Sequence, residues 1–130
     1  MIVDASALVA IALGEAGAEE LVAALAAHPG SVIGAPTAAE ASIVLENRFP
    51  GRGDVVLAGL LSRFGMVVLP FPAEFWTQTH AAYARFGRGR HPAQLNFGDC
   101  LGYVIAKATG LPLLCTGQDF ARTDLPIAPY

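Results

Sequence analysis

Short apolar segments alternate with helical segments along this chain, and this alternation limits the folds open to it. Four such segments lie at 1–3, 31–35, 66–71 and 113–116, and Ile127 marks a candidate fifth. Continuous apolar strands separated by helices are typical of a parallel sheet covered on both faces. The sequence therefore predicts an α/β fold, a three-layer α/β/α sandwich around a central parallel sheet of 4–5 short strands. A length of 130 residues fits a single domain spanning 1–130.

Turn and capping residues divide the rest of the chain into six predicted helices. Gly14 and Gly17 separate the first two helices, and Pro50 with Gly51 ends the third. Asn96 caps the last helix. The predicted helices span 5–13, 18–27, 36–48, 54–64, 72–86 and 96–109.

Four acidic residues fall where these elements would bring them to one edge of the sheet. Asp4 follows the first strand, and Asp119 lies just past the fourth. Glu40 and Asp99 are predicted in the first turns of two helices. In open α/β sheets, ligands bind at the carboxyl ends of the strands, where the loops converge. We therefore expect the four acids to face one cleft.

Each acid also has a purely local explanation. Thr37 to Glu40 has the spacing of a capping box, and Asn96 to Asp99 has nearly the same arrangement. Asp4 can serve as a helix N-cap, and the fourth acid as a turn residue. These local roles do not explain why caps and turns should gather at one edge, so both interpretations stay open at this point.

Gathered carboxylates repel one another unless a cation compensates them, and oxygen ligands of this kind suit Mg²⁺ or Mn²⁺. Zinc is disfavoured because the three histidines have no ligand spacing to Cys100 or Cys115. No histidine accompanies Ser6 or Thr116 in sequence, as a nucleophile–base pair would require. A GxxxxGK[ST] phosphate loop is also absent, which excludes the common nucleotide hydrolases.

Four motifs, taken in order, resemble those of a known family. They are Ile2-Val3-Asp4-Ala5-Ser6-Ala7-Leu8, Glu40-Ala41-Ser42-Ile43-Val44-Leu45, Asn96-Phe97-Gly98-Asp99-Cys100 and Thr116-Gly117-Gln118-Asp119-Phe120. Together they look like a PIN domain, and most of all like the VapC-type toxin of bacterial toxin–antitoxin modules. The resemblance covers essentially the whole chain, although Gln118 stands where the family often has Asn or Asp.

The resemblance implies a metal-dependent endoribonuclease. It implies that Mg²⁺ or Mn²⁺ is held by four acids, of which the first and third are the main ligands: Asp4, Glu40, Asp99 and Asp119. Asp124 is an alternative for the fourth acid. Supporting polar roles are implied for Ser6, Asn96 and Thr116. The implied substrate is structured RNA such as tRNA or rRNA, and the implied partners are a VapB-type antitoxin and a second copy of the chain in a homodimer.

Three arginines precede the predicted helix of Asp99: Arg85, Arg88 and Arg90. Arginine makes bidentate phosphate contacts and stacks on unpaired bases, so this Gly- and Arg-rich loop is a candidate RNA contact. The alternative is a solvated basic loop. Aromatic residues of the preceding helix, including Trp76 and Tyr83, are expected to be core or dimer contacts rather than base-stacking platforms.

The net charge of −3, from 11 acids and 8 bases, argues at first against a polyanionic partner. With four acids assigned to a cation, 11 − 4 = 7 acids remain against 8 bases, a balance of +1. The acidic character then reflects the site and not the surface. The chain has two cysteines without CxxC spacing, no secretory signal and no apolar run of membrane length, which predicts a cytoplasmic protein that does not bind membranes.

Two other classes of function fit parts of this pattern. A receiver-type phosphoacceptor domain needs an acidic pair after the first strand and a lysine near the last. Here Asp4 has no acidic neighbour, and the only lysine, Lys107, lies inside a predicted helix. A PIN-like scaffold that binds RNA or protein without cleaving would be expected to have lost an acid. All four are present, which favours the enzyme.

Overall fold

The computed structural model describes residues 1–130 and contains four strands and six α-helices. The strands are β1 (Ile2–Val3), β2 (Val32–Gly34), β3 (Val67–Leu69) and β4 (Leu113–Leu114). The helices are α1 (Ala5–Leu13), α2 (Ala18–Ala27), α3 (Ala35–Arg48), α4 (Gly53–Arg63), α5 (Phe75–Phe86) and α6 (Phe97–Thr109). A single 3₁₀ turn spans Phe120–Arg122.

All four strands are parallel and lie in the order β3-β2-β1-β4. β1 occupies the middle of the sheet, where Ile2 pairs with Val32 on one side and Leu113 on the other. Ile127 makes only an isolated bridge to Leu113, so the candidate fifth strand is reduced to one bridging residue. The predicted parallel α/β architecture is confirmed.

The two faces of the sheet are covered by two separate apolar cores. Successive strand residues point to opposite faces, and accordingly Val3 belongs to one core and Ile2 to the other. The first core joins the sheet to α1–α4 through Leu8, Leu21 and Leu45, all buried. The second joins it to α5, α6 and the C-terminal segment and includes Phe86, Leu95, Val104 and Phe120. Helices on both faces give the predicted three layers.

The start of α3 differs from the prediction in a way that affects the site. The helix begins at Ala35 with Gly34 as N-cap and Pro36 in its first turn, where a residue without an N–H fits without cost. Thr37 therefore lies inside the helix, and the predicted capping box with Glu40 does not form. Glu40 consequently occupies the second turn and not the first.

Two further sequence predictions concern the strand and helix that follow α4. β3 spans only Val67–Leu69 because Pro70 follows it and cannot donate to a strand ladder. α5 begins at Phe75, three residues after the predicted start.

No helix of the chain is long and apolar enough to cross a membrane. Cys100 and Cys115 are buried and unpaired.

Candidate active site

Asp4 lies at the carboxyl end of β1 and is almost fully buried. It caps α1, since its Oδ2 accepts hydrogen bonds from the Ser6 amide (3.0 Å) and the Ser6 hydroxyl (2.6 Å). The Ser6 Oγ in turn accepts a bond from the Thr116 amide at 3.1 Å. Ser6 therefore links the end of β1 to the loop after β4. Two of the three predicted supporting residues, Ser6 and Thr116, take part in this link.

Glu40 and Asp99 reach the same edge from α3 and α6. A β-carbon placed on Gly98 would lie 2.5 Å from both carboxylate oxygens of Glu40, so this side chain rests against the α6 backbone beside Asp99. Asp99 forms a capping box with Asn96: the Asn96 amide donates to Asp99 Oδ2, and the Asp99 amide to Asn96 Oδ1. Only one carboxylate oxygen of Asp99 is used, which leaves Oδ1 without a protein partner. The capping and ligand roles of Asp99 are therefore compatible.

Asp119 lies in the exposed segment between β4 and the 3₁₀ turn. Its charge raises the pKa of Asp99 and of the Cys115 thiol, which places it at the same edge as the other acids. The fold thus brings together all four predicted acids, from β1, α3, α6 and the loop after β4. We refer to Asp4, Glu40, Asp99 and Asp119 as the acidic site.

Burial and mutual repulsion both disfavour the ionised forms of these carboxylates. Desolvation raises the pKa of Asp4, against the hydrogen bonds from Ser6 that favour its ionised form. Desolvation also raises the pKa of Glu40, and the charges of Asp4 and Asp99 add to the effect. The pKa of Asp99 is raised by burial and by Asp4 and Asp119, although the Asn96 amide and Arg88 oppose this. The charge at the acidic site is therefore largely uncompensated by the protein.

The donor set of the acidic site fits a divalent cation. None of its acids forms an ion pair, since both salt bridges of the chain belong to Asp124. Carboxylate oxygens without ion-pair partners are the ligands that Mg²⁺ and Mn²⁺ prefer. No three acidic, histidine or cysteine side chains converge tightly enough to ligate one ion in this arrangement. Binding of one ion therefore requires movement of the carboxylates that the protein does not hold by hydrogen bonds, Glu40 and Asp119.

Asp124, the alternative fourth acid, lies in a different environment. It accepts bonds from Tyr103 Oη (2.7 Å), Lys107 Nζ (3.0 Å) and Arg85 Nη1 (3.0 Å). The Tyr103 bond, with support from Lys107 and Arg85, lowers the pKa of Asp124 to about 2. Asp124 is thus compensated by its own three partners, whereas the charge of Asp119 acts on Asp99 at the edge that holds the other acids.

The three predicted RNA-binding arginines occupy different surroundings. Arg88 lies close enough to Asp99 to lower its pKa, and it lines a groove that also contains Asn96. Arg90 lies over the Tyr83 ring, 5.5 Å from its centroid. Arg85 is engaged by Asp124 and lies over Phe86. Of the three, Arg88 is therefore the one beside the acidic site.

The groove beside Arg88 has a volume of about 730 Å³ and lies between α5 and α6. Its walls include Trp76, Tyr83 and Phe97, and Trp76 and Phe97 are 70% and 73% exposed. Trp76 is therefore not a core residue, so of the roles weighed for it a dimer contact and a base-stacking platform stay predictions. Phe97, which directly precedes Gly98 in α6, extends this apolar surface to the border of the acidic site.

Sequence reasoning missed two features of the acidic site. Gly98 and Gly102 lie one turn apart on α6, so both face the carboxylates, and this i, i+4 spacing of glycines was the available signal. Thr37 was assigned to a cap, whereas its buried hydroxyl has no hydrogen-bond partner in the protein. No sequence pattern distinguishes a Thr37 that caps α3 from a Thr37 that lies inside it, because the two differ only in where the helix begins.

Replacing Gly98 with Ala is expected to impair the acidic site without unfolding the protein. The new methyl group would occupy the position of the Glu40 carboxylate, which can swing away because it ends a flexible side chain. Ala also favours helix over Gly by about 1 kcal/mol. We expect an unchanged or higher Tm and about 10-fold weaker Mn²⁺ binding, measured by calorimetry. Gly59→Ala on α4, where the added methyl meets nothing, is the matched control; equal Mn²⁺ affinity in both variants would contradict the placement of Glu40.

Comparison with known proteins agrees with a parallel α/β sandwich that carries acids at the carboxyl edge of its sheet. The sequence profile of the PIN domain family matches residues 1–125. Ribonuclease VapC36 of Mycobacterium tuberculosis is 46% identical over 126 residues, which cover 96% of this chain and 91% of the relative. Ribonuclease VapC of Mycolicibacterium smegmatis is 40% identical over 125 residues, 96% of this chain and 97% of the relative.

A solved structure shares the fold at lower sequence similarity. The crystal structure of Mycobacterium tuberculosis VapC20, described as a toxin that cleaves the sarcin–ricin loop, superposes with a TM-score of 0.79 at 18% identity and covers 95% of each chain. The fold and the acidic edge define a PIN domain. With the relatives above, the chain belongs to the PIN domain family, within its group of VapC ribonucleases.

Proposed function

We propose that the chain is the endoribonuclease toxin of a VapBC-type toxin–antitoxin module, a single PIN domain over 1–130 that hydrolyses RNA phosphodiester bonds with the help of Mg²⁺ or Mn²⁺. The observation that carries the proposal is the acidic site, four carboxylates without an ion-pair partner at the carboxyl edge of the sheet. Membership of the VapC ribonucleases supports the same activity.

In this proposal Asp4 and Asp99 are the main ligands, and Glu40 and Asp119 complete the site. A bound divalent cation lowers the pKa of a coordinated water and neutralises charge on the scissile phosphate. Ser6 fixes the orientation of Asp4 through the two bonds to its Oδ2. Asn96 fixes Asp99 through the capping box and leaves Asp99 Oδ1 free to face the cleft. Burial shields Asp4 from bulk solvent and strengthens its interaction with a cation.

Arg88 and Arg90 are proposed to hold the RNA backbone next to the acidic site. Arg88 lies near Asp99, and neither arginine forms an ion pair, whereas Arg85 is occupied by Asp124. Their guanidinium groups are free to contact phosphates or to stack on unpaired bases. The RNA class proposed is tRNA or rRNA, since structured RNA exposes single-stranded loops to such contacts.

The double substitution of Arg88 and Arg90 by Gln is expected to weaken RNA binding and flatten its salt dependence. Each lost phosphate contact should lower the slope of log K against log salt by about 1. Fluorescence anisotropy with a single-stranded RNA oligonucleotide, in an Asp4→Asn background that prevents cleavage, measures both quantities. Arg85→Gln is the matched control. It should lower the Tm, because Arg85 pairs with Asp124, and leave the RNA affinity and its salt dependence close to those of the wild type. A double variant with the wild-type slope would remove these arginines from the RNA-binding surface.

A homodimer and a VapB-type antitoxin are the proposed protein partners. The exposed Trp76 and Phe97 flank the apolar groove between α5 and α6, and such apolar surface is typical of a protein interface. A second copy of the chain is proposed to cover it. Sedimentation equilibrium of the wild type and of Trp76→Glu tests this assembly: the wild type should be dimeric and the variant monomeric.

The toxin function is tested in cells by induced expression of the wild type and of Asp4→Asn, followed by mapping of RNA 5′ ends. The wild type should arrest growth and produce new ends at discrete sites in tRNA or rRNA. Asp4→Asn should do neither, and co-expression of the antitoxin should suppress both effects. Growth arrest that survives Asp4→Asn would instead favour a scaffold that binds RNA or protein without cleaving it.

A further inference from the structure

The hydroxyl oxygen of Thr37, Oγ1, is buried and has no hydrogen-bond partner in the protein. No other buried side-chain polar atom of the structure is in this position. The residue is only 2% exposed, and no protein group lies in bonding position to its Oγ1. Threonine hydroxyls inside helices commonly bond a backbone carbonyl one turn earlier, but this one does not. An unpaired buried hydroxyl is costly, so its presence calls for a specific explanation.

The hydroxyl lies at the edge of the acidic site. Thr37 precedes Glu40 by one turn of α3. A β-carbon placed on Gly102 of α6 would lie 3.8 Å from Thr37 Oγ1 and 3.4 Å from Asp4 Oδ1. The two oxygens therefore border the same small space over the α6 backbone. Because residue 102 is glycine, no side chain of α6 fills that space, and Phe120 Cζ borders it at 3.9 Å from the same point.

Asp4 Oδ1 is the oxygen of that carboxylate that the protein leaves free. Both bonds from Ser6, through its amide and its hydroxyl, go to Oδ2. A free carboxylate oxygen can accept a hydrogen bond, and a hydroxyl can donate one. Asp4 Oδ1 and the Thr37 hydroxyl nevertheless form no direct hydrogen bond. A bridging water would satisfy both groups, and side chains that ligate metals are commonly oriented by such outer partners.

We propose that Thr37 is a positioning residue of the acidic site, whose hydroxyl holds a water against Asp4 Oδ1 and so orients this carboxylate towards the divalent cation. The inference rests on the proposed function, because it assumes that Asp4 is a ligand. Thr37 touches neither the cation nor the RNA, and it acts through Asp4. The hydroxyl and not the methyl group is the part of the side chain that matters.

The proposal is tested by Mn²⁺ binding to purified protein together with the Tm of the metal-free protein. Thr37→Val keeps the shape but removes the hydroxyl, and Thr37→Ser keeps the hydroxyl but removes the methyl group. Titration followed by the electron paramagnetic resonance of free Mn²⁺ should show a Kd at least about 10-fold weaker for Thr37→Val. The metal-free Tm of this variant should stay close to that of the wild type, because the hydroxyl bonds no protein group directly. Thr37→Ser should bind Mn²⁺ within about twofold of the wild type even if its Tm falls.

Three results would overturn the role of Thr37. They are wild-type affinity in Thr37→Val, equal losses of affinity in Thr37→Val and Thr37→Ser, and a fall in the metal-free Tm of Thr37→Val alongside its loss of affinity. The same titration separates this inference from the proposed function. Wild-type protein that binds no Mn²⁺, or binds it as well after Asp4→Asn, would contradict the acidic site as a whole, whereas normal binding that only Asp4→Asn abolishes would reject Thr37 alone.

Discussion

Asp4→Asn and Asp99→Asn are each expected to lower the rate of RNA cleavage by about 10³-fold or more, the scale set by loss of a group that stabilises charge in a transition state. Asp4→Asn should at the same time raise the Tm of the metal-free protein. Its carboxylate is buried and its pKa is raised by desolvation, so ionisation at neutral pH destabilises the folded state. Asn removes the charge and keeps an oxygen that can accept the bonds from Ser6.

The pH dependence of stability provides an independent check of the same assignment. A folded-state pKa above the ordinary value means that the folded protein binds more protons than the unfolded chain, so stability rises as the pH falls through that pKa. Asp4, Glu40 and Asp99 all titrate in this sense, above ordinary values of 3.8 for Asp and 4.5 for Glu. The metal-free wild type should therefore gain stability on mild acidification from pH 7, and Asp4→Asn should gain less.

Asp124→Asn is the matched control for these substitutions. In the folded protein the pKa of the Asp124 carboxylate is lowered from its ordinary value of 3.8 to about 2. The ionised carboxylate therefore stabilises the fold above pH 3.8, and this stabilisation is lost as the pH falls towards 2. This variant should lose stability at pH 7 and retain cleavage, the opposite of Asp4→Asn. Full metal-dependent cleavage by both Asp4→Asn and Asp99→Asn would disprove the assignment of the acidic site.

Divalent metal is expected to stabilise the wild type strongly. At a Mn²⁺ concentration of 100 times Kd, binding to the folded state adds about 2.7 kcal/mol, which for a domain of this size is a Tm increase of about 10 °C. The increase should shrink as the pH falls, since protons and the cation compete for carboxylates whose pKa values are raised. Thermal denaturation with Mn²⁺, Mg²⁺ or a chelator measures the effect.

Variants separate specific metal binding from general screening of charge. Asp99→Asn should show little or no Mn²⁺-dependent increase in Tm, whereas Asp124→Asn should show an increase close to that of the wild type. An equal increase in all three proteins, or the same increase with monovalent salt at equal ionic strength, would mean that Mn²⁺ acts on the surface at large. That outcome would contradict a metal-dependent mechanism at the acidic site.

Most of the fold was predictable because local signals coincide with the tertiary structure. α2 has the predicted bounds, since Gly17 begins it in a left-handed conformation and Pro29 follows its end. The capping box of Asn96 and Asp99 forms because the N-cap and N3 positions, three residues apart in sequence, carry the side chains that it needs. β3 and α5 are shorter than predicted because Pro70 and Pro72 interrupt the segment between them.

The parts of the site that could not be predicted depend on contacts between distant residues. Asp124 meets Arg85 and Tyr103 across 39 and 21 positions of sequence, so its exclusion from the acidic site has no local signal. The start of α3 at Ala35 depends on how β2 ends and on where Pro36 fits. Because the N-cap is Gly34 and not Thr37, Thr37 lies within the helix as a buried hydroxyl beside Asp4.

The central place of β1 in the sheet has a consequence for the synthesis of this toxin. β1 emerges from the ribosome first, yet one of its two neighbours, β4, is among the last elements made. The loop after β4 supplies Asp119 and the Thr116 amide that holds Ser6 beside Asp4. A nascent chain that has not passed this point has an incomplete set of carboxylates. On the proposed assignment of the four acids, the acidic site is therefore completed only near the end of synthesis, after most of the fold has been made.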